Sequence, residues 1–266
     1  RLDLSRYKPD FVVISFYKMF GFPSGIGALL IKHNVLNKLE RPWFSGGTIK
    51  AVSLKADRYY LREKADSLED GTINFLALPA VEYGLSFLTH IGIDRIHQRV
   101  MILTQYLIDQ LLSLKHHKSG VSDSESGDDD DGGRGGGGRC LVKLYGPNNV
   151  TNGTWGRGAT LALNFFDSSG NIIRSNDVQR LANSYNISIR TGCFCNPGSG
   201  EILFDFKREE IDFCLENAKH ISSADHYLNC FEELDKIGGA IRVSLGIASN
   251  FKDVFRFVEF CRTFLE

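Results

Sequence analysis

Ten residues from Ile189 to Gly198, IRTGCFCNPG, combine an arginine, two cysteines and a turn rich in glycine and proline. A strand-like run, Ile187 to Arg190, leads into them, so the sequence predicts cysteines on a loop held by a rigid element. A thiol on a loop can reach a substrate, and a neighbouring guanidinium attracts carboxylates and favours the thiolate. The spacing is therefore typical of a reactive cysteine. Two half-buried cysteines that only pack are the alternative.

A second motif extends from Asp10 to Ile31. Its nearly continuous apolar run, Phe11 to Ser15, predicts a strand buried on both faces. Lys18 follows at the exit of that strand, where α/β folds place ligand chemistry, and the glycines after it let backbone approach a bound group. A solvated surface lysine is the alternative for Lys18.

Together the two motifs resemble the pyridoxal-phosphate enzymes of the class V aminotransferase and cysteine desulfurase superfamily. RTGCFCNPG is the narrower motif, and it is similar to the aminotransferase-like domain of eukaryotic molybdenum cofactor sulfurases. The segments Trp43–Thr48 and Leu68–Phe75 support this resemblance. The similarity extends from about residue 2 to the C-terminus, apart from one insert.

The resemblance implies an α/β protein of pyridoxal-phosphate fold type I, with part of a large, mainly parallel-sheet domain and a small α+β C-terminal lobe. We predict that residues 1–92 are the C-terminal part of the cofactor-binding large domain and that 93–115 form a connecting helix. Residues 116–139 are predicted to be a disordered acidic and Gly-rich insert, because they cannot bury apolar surface. Its DDDD run is interpreted as solvated rather than as a cation site. Residues 140–266 form the small lobe.

Apolar periodicity predicts the secondary structure around these motifs. The predicted helices are Phe75–Leu88, Ile93–Leu114, Ser175–Tyr185, Lys207–His220 and Asn250–Phe264. The predicted strands of the small lobe are Leu141–Tyr145, Thr160–Phe165, Ser188–Arg190 and Ala240–Leu245. Asp177 and Asn250 stand near helix starts, where their side chains can cap free N–H groups.

The resemblance implies that Lys18 is the Schiff-base lysine of pyridoxal 5′-phosphate, since an aldehyde cofactor needs a primary amine. In the resembling enzymes the catalytic cysteine ends an R-T-G-x-x-C block, so the resemblance implies that Cys195, at that position, is the nucleophile that takes sulfur from L-cysteine as a persulfide. Cys193 is the rival in the same loop, and simple packing is the preferred interpretation of it. No metal site is predicted, because a tetrahedral zinc site needs four ligands and no second Cys/His pair has suitable spacing.

Arg190 and Arg242 each lie in a strand where apolar and polar residues alternate, so each should point away from the buried face, towards a cleft. A guanidinium can hold a substrate carboxylate by two parallel hydrogen bonds. An ordinary exposed strand arginine is the alternative, but related desulfurases place carboxylate-binding arginines at these two positions. Gly71 and Thr72 would contact the cofactor phosphate, in relatives from the partner subunit of a homodimer. A helix N-cap before Asn74 is the alternative for Thr72.

Composition restricts the partners. The 266 residues are 42% hydrophobic and 24% charged, enough to bury a core, and the net charge of −1 argues against nucleic-acid or membrane-surface partners. There is no apolar run of the roughly 18 residues that a membrane span needs, and no secretory leader. The six cysteines are too sparse for a disulfide scaffold, so we interpret them as reduced thiols in a cytoplasmic protein.

The implied function is removal of sulfur from L-cysteine, leaving alanine, with transfer of the sulfur through Cys195 to molybdenum cofactor. A general cysteine desulfurase for iron–sulfur assembly and a non-catalytic truncated product that serves only as an interaction subunit are the alternatives. The family's phosphate loop, ring-stacking residue and acidic partner of the pyridine nitrogen all lie upstream of its lysine. Because none is present here, we interpret the chain from Arg1 as a fragment that is inactive and poorly soluble by itself. The family also commonly has a cysteine shortly after NPG, where this chain has Ser199–Glu201.

Overall fold

The computed structural model describes residues 3–117, 138–147, 157–192, 195–218, 224–234 and 236–266. The chain divides into two units, Arg1–Arg95 and Ile96–Glu266. Most of the predicted insert, residues 118–137, and the predicted rival nucleophile Cys193 lie outside the described residues.

Unit 1 combines short elements with one longer helix, α4. Its helices are α1 (Leu4–Tyr7), α2 (Tyr17–Phe20), α3 (His33–Leu36) and α4 (Pro79–Ile91), with a 3₁₀ turn at Lys64–Ser67. Its strands are β1 (Phe11–Ser15), β2 (Gly27–Ile31), β3 (Ile49–Ser53) and β4 (Arg58–Leu61). β1 pairs with β2 and β3 with β4, and both pairs are antiparallel. The mainly parallel sheet predicted for the large domain is therefore not present among the described pairings of this unit. Neighbouring strands joined by short connections pair antiparallel, whereas parallel pairs need a long crossover.

Strand β1 has the predicted bounds, but its predicted burial on both faces is wrong. Val13 is 81% exposed and Phe11 is 44% exposed. β1 has the apolar composition of a central strand. In the described residues, however, only β2 pairs with it, and one of its faces is exposed.

Unit 2 is an antiparallel sheet with helices. Its strands are β5 (Val142–Tyr145), β6 (Thr160–Phe166), β7 (Ile172–Ile173), β8 (Arg190–Gly192) and β9 (Ala240–Ser244). The sheet order is β5-β6-β9-β8, and β7 pairs with β6. The helices are α5 (Ile93–Ser113, in this unit from Ile96), α6 (Ser175–Ser184), α7 (Pro197–Leu203), α8 (Arg208–Ala218), α9 (Ala224–Glu233) and α10 (Phe251–Arg262). The sequence analysis did not predict α7, α9 or β7.

One face of this sheet carries the main core. Alternate residues of β6 and β9, among them Leu163 and Ile241, are fully buried there. Helices α5, α6 and α10 supply the opposing side chains, including Leu107, Val178 and Phe260. Because side chains alternate along a strand, the residues between these core positions lie on the other face of the sheet.

Helix α10 shows how the local sequence fixes an element. The Asn250 side chain accepts from the N–H of Asp253 at 3.2 Å, and the Asp253 carboxylate accepts from the N–H of Asn250 at 3.0 Å. This reciprocal capping box confirms the predicted capping role of Asn250. Asp177, by contrast, lies inside the first turn of α6 and pairs with Arg180 at 2.9 Å, so its predicted capping role is wrong.

The prediction of six reduced thiols is also wrong. Cys214 on α8 and Cys230 on α9 form a disulfide with their Cα atoms 5.7 Å apart. Both residues are buried, with Phe231 completing the small cluster around them. The small number of cysteines argued against a scaffold of several disulfides. A single disulfide needs only two cysteines that folding brings close together, as it does for this buried pair on two adjacent helices.

The ends of the predicted insert are ordered. Lys115 and Cys140 form an isolated antiparallel bridge, and the N–H of His116 donates to the carbonyl of Arg139 at 2.9 Å. His116 is only 3% exposed, and its Nε2 lies 2.8 Å from the carbonyl oxygen of Phe166. The predicted boundary at residue 116 therefore starts too early, because His116 is buried and hydrogen-bonded to residues that its sequence neighbours do not reveal.

Candidate active site

Lys18 lies on α2, one short turn after strand β1. Its side chain is exposed, with Nζ 5.9 Å from the centroid of the Tyr17 ring. Among the described residues, the Lys18 amine has no hydrogen-bond or ion-pair partner. The amine is therefore accessible to an aldehyde.

Packing on one side holds the short helix that carries Lys18. The rings of Phe16 and Phe20 stack with their centroids 6.3 Å apart. A Cβ on Gly84 of α4 would lie 2.3 Å from the Phe20 ring, so only glycine permits this approach of α2 to α4. Gly21 ends α2 at φ 87, and its N–H donates to the carbonyl of Tyr17 at 2.8 Å. Sequence and packing thus fix the backbone that presents Lys18.

The two segments that support the family resemblance, Trp43–Thr48 and Leu68–Phe75, contact each other. The N–H of Gly71 donates to the carbonyl of Gly46 at 2.7 Å. A Cβ at Gly47, which has φ +88, would lie 2.6 Å from the carbonyl oxygen of Gly71. Only a glycine at this position allows the two loops to approach so closely.

Asp70 connects the same two loops through its carboxylate. It accepts from Ser45 Oγ at 2.5 Å and from Arg41 Nη2 at 2.7 Å. These two hydrogen bonds, that of Ser45 first, hold the pKa of the Asp70 carboxyl below its usual range. The Arg41 side chain is 9% exposed and also donates to the carbonyl of Ser67 at 2.9 Å. The contacts of Arg41 and Asp70 fix the backbone just before Gly71.

Gly71 and Thr72 lie in the loop that this network holds. Gly71 has φ 67, and both residues are exposed. The alternative role of Thr72, as the N-cap of a helix beginning near Asn74, is wrong, because α4 begins at Pro79 after Leu78. The Thr72 hydroxyl and its neighbouring N–H groups therefore remain candidates to bind an anion.

Cys195 is exposed and lies in the turn immediately before α7. Its φ of 58 places it in the left-handed region, which a non-glycine residue adopts only where the surrounding chain requires it. The next residue, Asn196, caps α7 by accepting from the N–H of Ser199 at 3.4 Å. The cysteine is thus held at the start of a helix rather than on an unsupported loop.

The remaining described cysteines differ from Cys195. Cys261 is fully buried in the core, and burial raises the pKa of its thiol. Cys214 and Cys230 are joined to each other. Cys140 is exposed, in the bridge with Lys115. Among the described residues no group of His, Cys, Asp and Glu is arranged to hold a metal ion.

Arg190 and Arg242 are directly opposite one another in the β8–β9 ladder. Ile241 and Val243 flank Arg242 and belong to the core, so Arg242 lies on the other face of the sheet, as the alternation predicted. Arg190 is exposed and Arg242 is half-buried. Opposed residues of an antiparallel pair share a face, so the two arginines lie on the same side of the sheet.

A cavity of ≈ 580 Å³ lies on this face. Arg242 lines it together with Asn196 of the cysteine turn and four residues of α7, Ser199, Gly200, Ile202 and Leu203. The structure thus brings one predicted carboxylate ligand and the segment directly after Cys195 to one cavity. Arg190 is not among the lining residues.

Tyr145, at the end of β5, and Arg157, just before β6, also line this cavity. Sequence reasoning missed both. Arg157 stands between glycines, a context in which an arginine is indistinguishable from any exposed loop arginine. Tyr145 is the final residue of a predicted strand, and nothing in its sequence context indicates a role in ligand binding.

Comparison with known proteins shows what this chain is similar to. Residues 1–127 match the family described as Aminotransferase class-V. The chain is 34% identical over 266 residues to the molybdenum cofactor sulfurase of Homo sapiens, covering 97% of this chain and 27% of that protein. It is 33% identical over 263 residues to the molybdenum cofactor sulfurase of Arabidopsis thaliana, covering 97% of this chain and 29% of that protein.

The predicted resemblance to the class V aminotransferase superfamily is confirmed. The apo cysteine desulfurase of Thermococcus onnurineus NA1 has the same fold, with a TM-score of 0.61 at 21% identity. That alignment covers 96% of this chain and 47% of the solved chain. The fold is therefore the predicted α/β fold type I. The chain spans less than a third of the length of the molybdenum cofactor sulfurases it matches.

The predicted cofactor, pyridoxal 5′-phosphate, is confirmed at the level of the match to the class V aminotransferase model. The residues of unit 1 fit it in their chemistry. Lys18 offers an accessible primary amine, and the Gly71–Thr72 loop offers N–H groups and a hydroxyl for a phosphate.

Proposed function

We propose that this chain is the part of a pyridoxal-phosphate-dependent sulfurtransferase that removes sulfur from L-cysteine and passes it through Cys195 to molybdenum cofactor. The observation that supports this most directly is the position of Cys195, exposed in a strained turn beside a cavity lined by Arg242. The similarity to molybdenum cofactor sulfurases over 97% of the chain supports the acceptor. A homodimer is part of the proposal, as the resemblance implies.

Lys18, Gly71 and Thr72 would hold the cofactor. When bound, it supplies an electron-withdrawing pyridine ring that makes the bonds of an attached amino acid labile. Lys18 supplies the amine that attaches it, and the Gly71–Thr72 loop binds its phosphate. The hydrogen bonds of Asp70 keep that loop in one conformation.

Arg242 binds the carboxylate of L-cysteine and orients its thiol towards Cys195, and Arg190 on the neighbouring strand adds positive charge to the same face. The Cys195 thiolate then attacks the substrate sulfur. A sulfur–sulfur bond forms as the carbon–sulfur bond breaks, the electron pair goes to the carbon, and a proton completes the methyl group of alanine. Cys195 is left as a persulfide, which is the donor for the acceptor molecule.

Persulfide labelling after L-cysteine treatment tests the role of Cys195. It is measured in the longest native protein that contains this chain, supplied with pyridoxal phosphate. Cys195→Ala should abolish the label. Cys193→Ala should keep most of it, and Cys140→Ala, which removes another exposed thiol, should keep all of it. A label that survives in Cys195→Ala and disappears in Cys193→Ala would reverse the assignment.

The role of Lys18 is tested in the same protein by trapping the cofactor with borohydride. Lys18→Ala should lose the covalent attachment, since the exposed amine of Lys18 is the one that follows β1. Lys32→Ala is the matched control, because that amine is already paired with Asp10 at 2.9 Å. Attachment at the wild-type level in Lys18→Ala would show that another lysine bonds the cofactor.

The sulfur acceptor separates the proposed function from general cysteine desulfurase activity. Persulfide-loaded protein should sulfurate molybdenum cofactor and not an iron–sulfur scaffold protein. Transfer only to the scaffold would support the alternative instead.

A further inference from the structure

Arg157 is held rigidly at the edge of the cavity that Arg242 lines. Its Nη1 donates to the carbonyl of Pro147 at 2.6 Å, and its Nη2 lies 3.3 Å from the carbonyl of Tyr145 and 3.4 Å from that of Thr160. These contacts join the end of β5 to the start of β6. A guanidinium has five N–H groups, so these three bonds leave others available.

The Nε atom of Arg157 is buried and has no hydrogen-bond partner among the described residues. Burial lowers the pKa of the guanidinium from its usual value, which indicates a charge that its surroundings do not fully compensate. Within the described part of the chain no carboxylate pairs with Arg157, and none lines the cavity. A buried N–H donor of a charged guanidinium costs free energy when it has no hydrogen-bond acceptor, and a bound ligand that accepts from it would remove that cost.

Tyr145 adds a second unsatisfied donor to the same cavity. The residue is 8% exposed, and its hydroxyl is buried without a partner among the described residues. Burial raises the pKa of Tyr145 to about 12, so the hydroxyl keeps its proton at neutral pH and can donate. The ring packs edge-on against Phe204 with the centroids 5.5 Å apart, which fixes its direction.

Two guanidinium groups and a phenol around one cavity without an acid are suited to a ligand with anionic oxygens. The cavity also contains apolar wall from α7, including Leu203, which suits a small organic ligand better than a fully hydrated ion. Asn196 places the turn of Cys195 at the same cavity, so a ligand there lies beside the proposed nucleophile.

We propose that Arg157 and Tyr145 complete, with Arg242, the subsite that recognises the carboxylate of the amino-acid substrate. Arg157 is then a specificity-determining residue, and the second guanidinium of the carboxylate site is Arg157 rather than Arg190. The identity of the amino acid rests on the proposed function. The carboxylate recognition itself does not, because it needs neither the cofactor nor Cys195.

Binding in the absence of pyridoxal phosphate tests the subsite by itself. L-alanine carries the carboxylate and amine of the substrate without its thiol, and alaninamide keeps the amine but has an uncharged carboxamide in place of the carboxylate. The native protein is titrated with each of the two compounds, and binding is measured by calorimetry or ligand-observed NMR. L-alanine should bind at least about tenfold more tightly than alaninamide, because hydrogen bonds to a charged group contribute a free energy of that size.

Two variants locate the recognition. Arg157→Gln and Tyr145→Phe should each remove most of the preference for L-alanine over alaninamide. Arg256→Gln is the matched control, since Arg256 also donates to a backbone carbonyl, that of Tyr185 at 3.1 Å, but does not line the cavity. Tyr145→Phe removes only a hydroxyl without a described partner, so its melting temperature should be equal to or above that of wild type. This variant keeps the test decisive even if Arg157→Gln does not fold.

Equal preference for L-alanine in wild type, Arg157→Gln and Tyr145→Phe would overturn the proposal. Inorganic phosphate that binds more than tenfold tighter than L-alanine would also overturn it, because the subsite would then select a dianion rather than a carboxylate. If the carboxylate preference is present but no persulfide forms on Cys195, the proposed function fails while the subsite stands.

Discussion

Breaking the Cys214–Cys230 disulfide should destabilise unit 2 by about 3 kcal/mol. The two cysteines are separated by 16 residues in the sequence. Closing a loop of this length removes about 10 cal/mol/K of entropy from the unfolded chain, which corresponds to about 3 kcal/mol at 25 °C. For a unit of this size that loss lowers the melting temperature by roughly 6–12 °C.

The measurement is urea unfolding of the native protein with and without a dithiol reductant. Reduction keeps both sulfur atoms, so it isolates the covalent bond from the packing around Phe231. The double variant Cys214→Ala/Cys230→Ala should match the reduced protein or fall slightly below it, and reductant should not change its midpoint. Cys140→Ala, at an exposed thiol, should behave as wild type.

Thiol counting under denaturing conditions gives the independent check. Reduction should add two titratable thiols in wild type and none in the double variant. If the count does not change and the unfolding midpoint is the same with and without reductant, the cysteines are thiols as the sequence indicated. The loop-closure reasoning would then have no bond to act on.

Two further predictions concern single side chains. Asp70→Asn should reduce the loss of folding stability at acid pH. Hydrogen bonds from Ser45 and Arg41 lower the pKa of Asp70 in the folded state. The stability that the ionised Asp70 contributes is therefore present above its unfolded-state pKa and is lost as the pH falls through its folded-state pKa. Unfolding midpoints from about pH 6 down to pH 3 would measure this, and an acid limb as steep as in wild type would contradict it. Iodoacetamide should label Cys195 in the native protein and leave Cys261 unlabelled until unfolding, because Cys261 is fully buried with a raised thiol pKa; peptide mass analysis that finds Cys261 modified first would contradict that order.

The sequence by itself determined the elements whose signals are local. Strand β1 has the predicted bounds, and the predicted helix ends in unit 2 that fall on described residues differ from the structure by at most two residues. The predicted end at His220 lies outside the described residues. The cap of Asn250 could be read because its partner Asp253 is three residues away. The family motifs were equally local, since each consists of residues that are neighbours in the sequence.

Tertiary structure alone decided what depends on distant segments. Alternation predicted the face of Arg190 and Arg242, but only strand pairing places them directly opposite one another. Val13 is an apolar residue of a type that is usually buried, yet it is exposed. Burial depends on which segments pack around a residue and not on the residue type alone.

The cavity shows the same limit. Arg157 becomes a candidate ligand only where β5 and β6 pair, since that pairing brings the carbonyls of Tyr145 and Thr160 to its guanidinium. Cys214 and Cys230 likewise meet only through the packing of α8 against α9. A sequence specifies local geometry through its spacing, whereas the chemistry of a site depends on which distant groups folding brings within hydrogen-bonding distance.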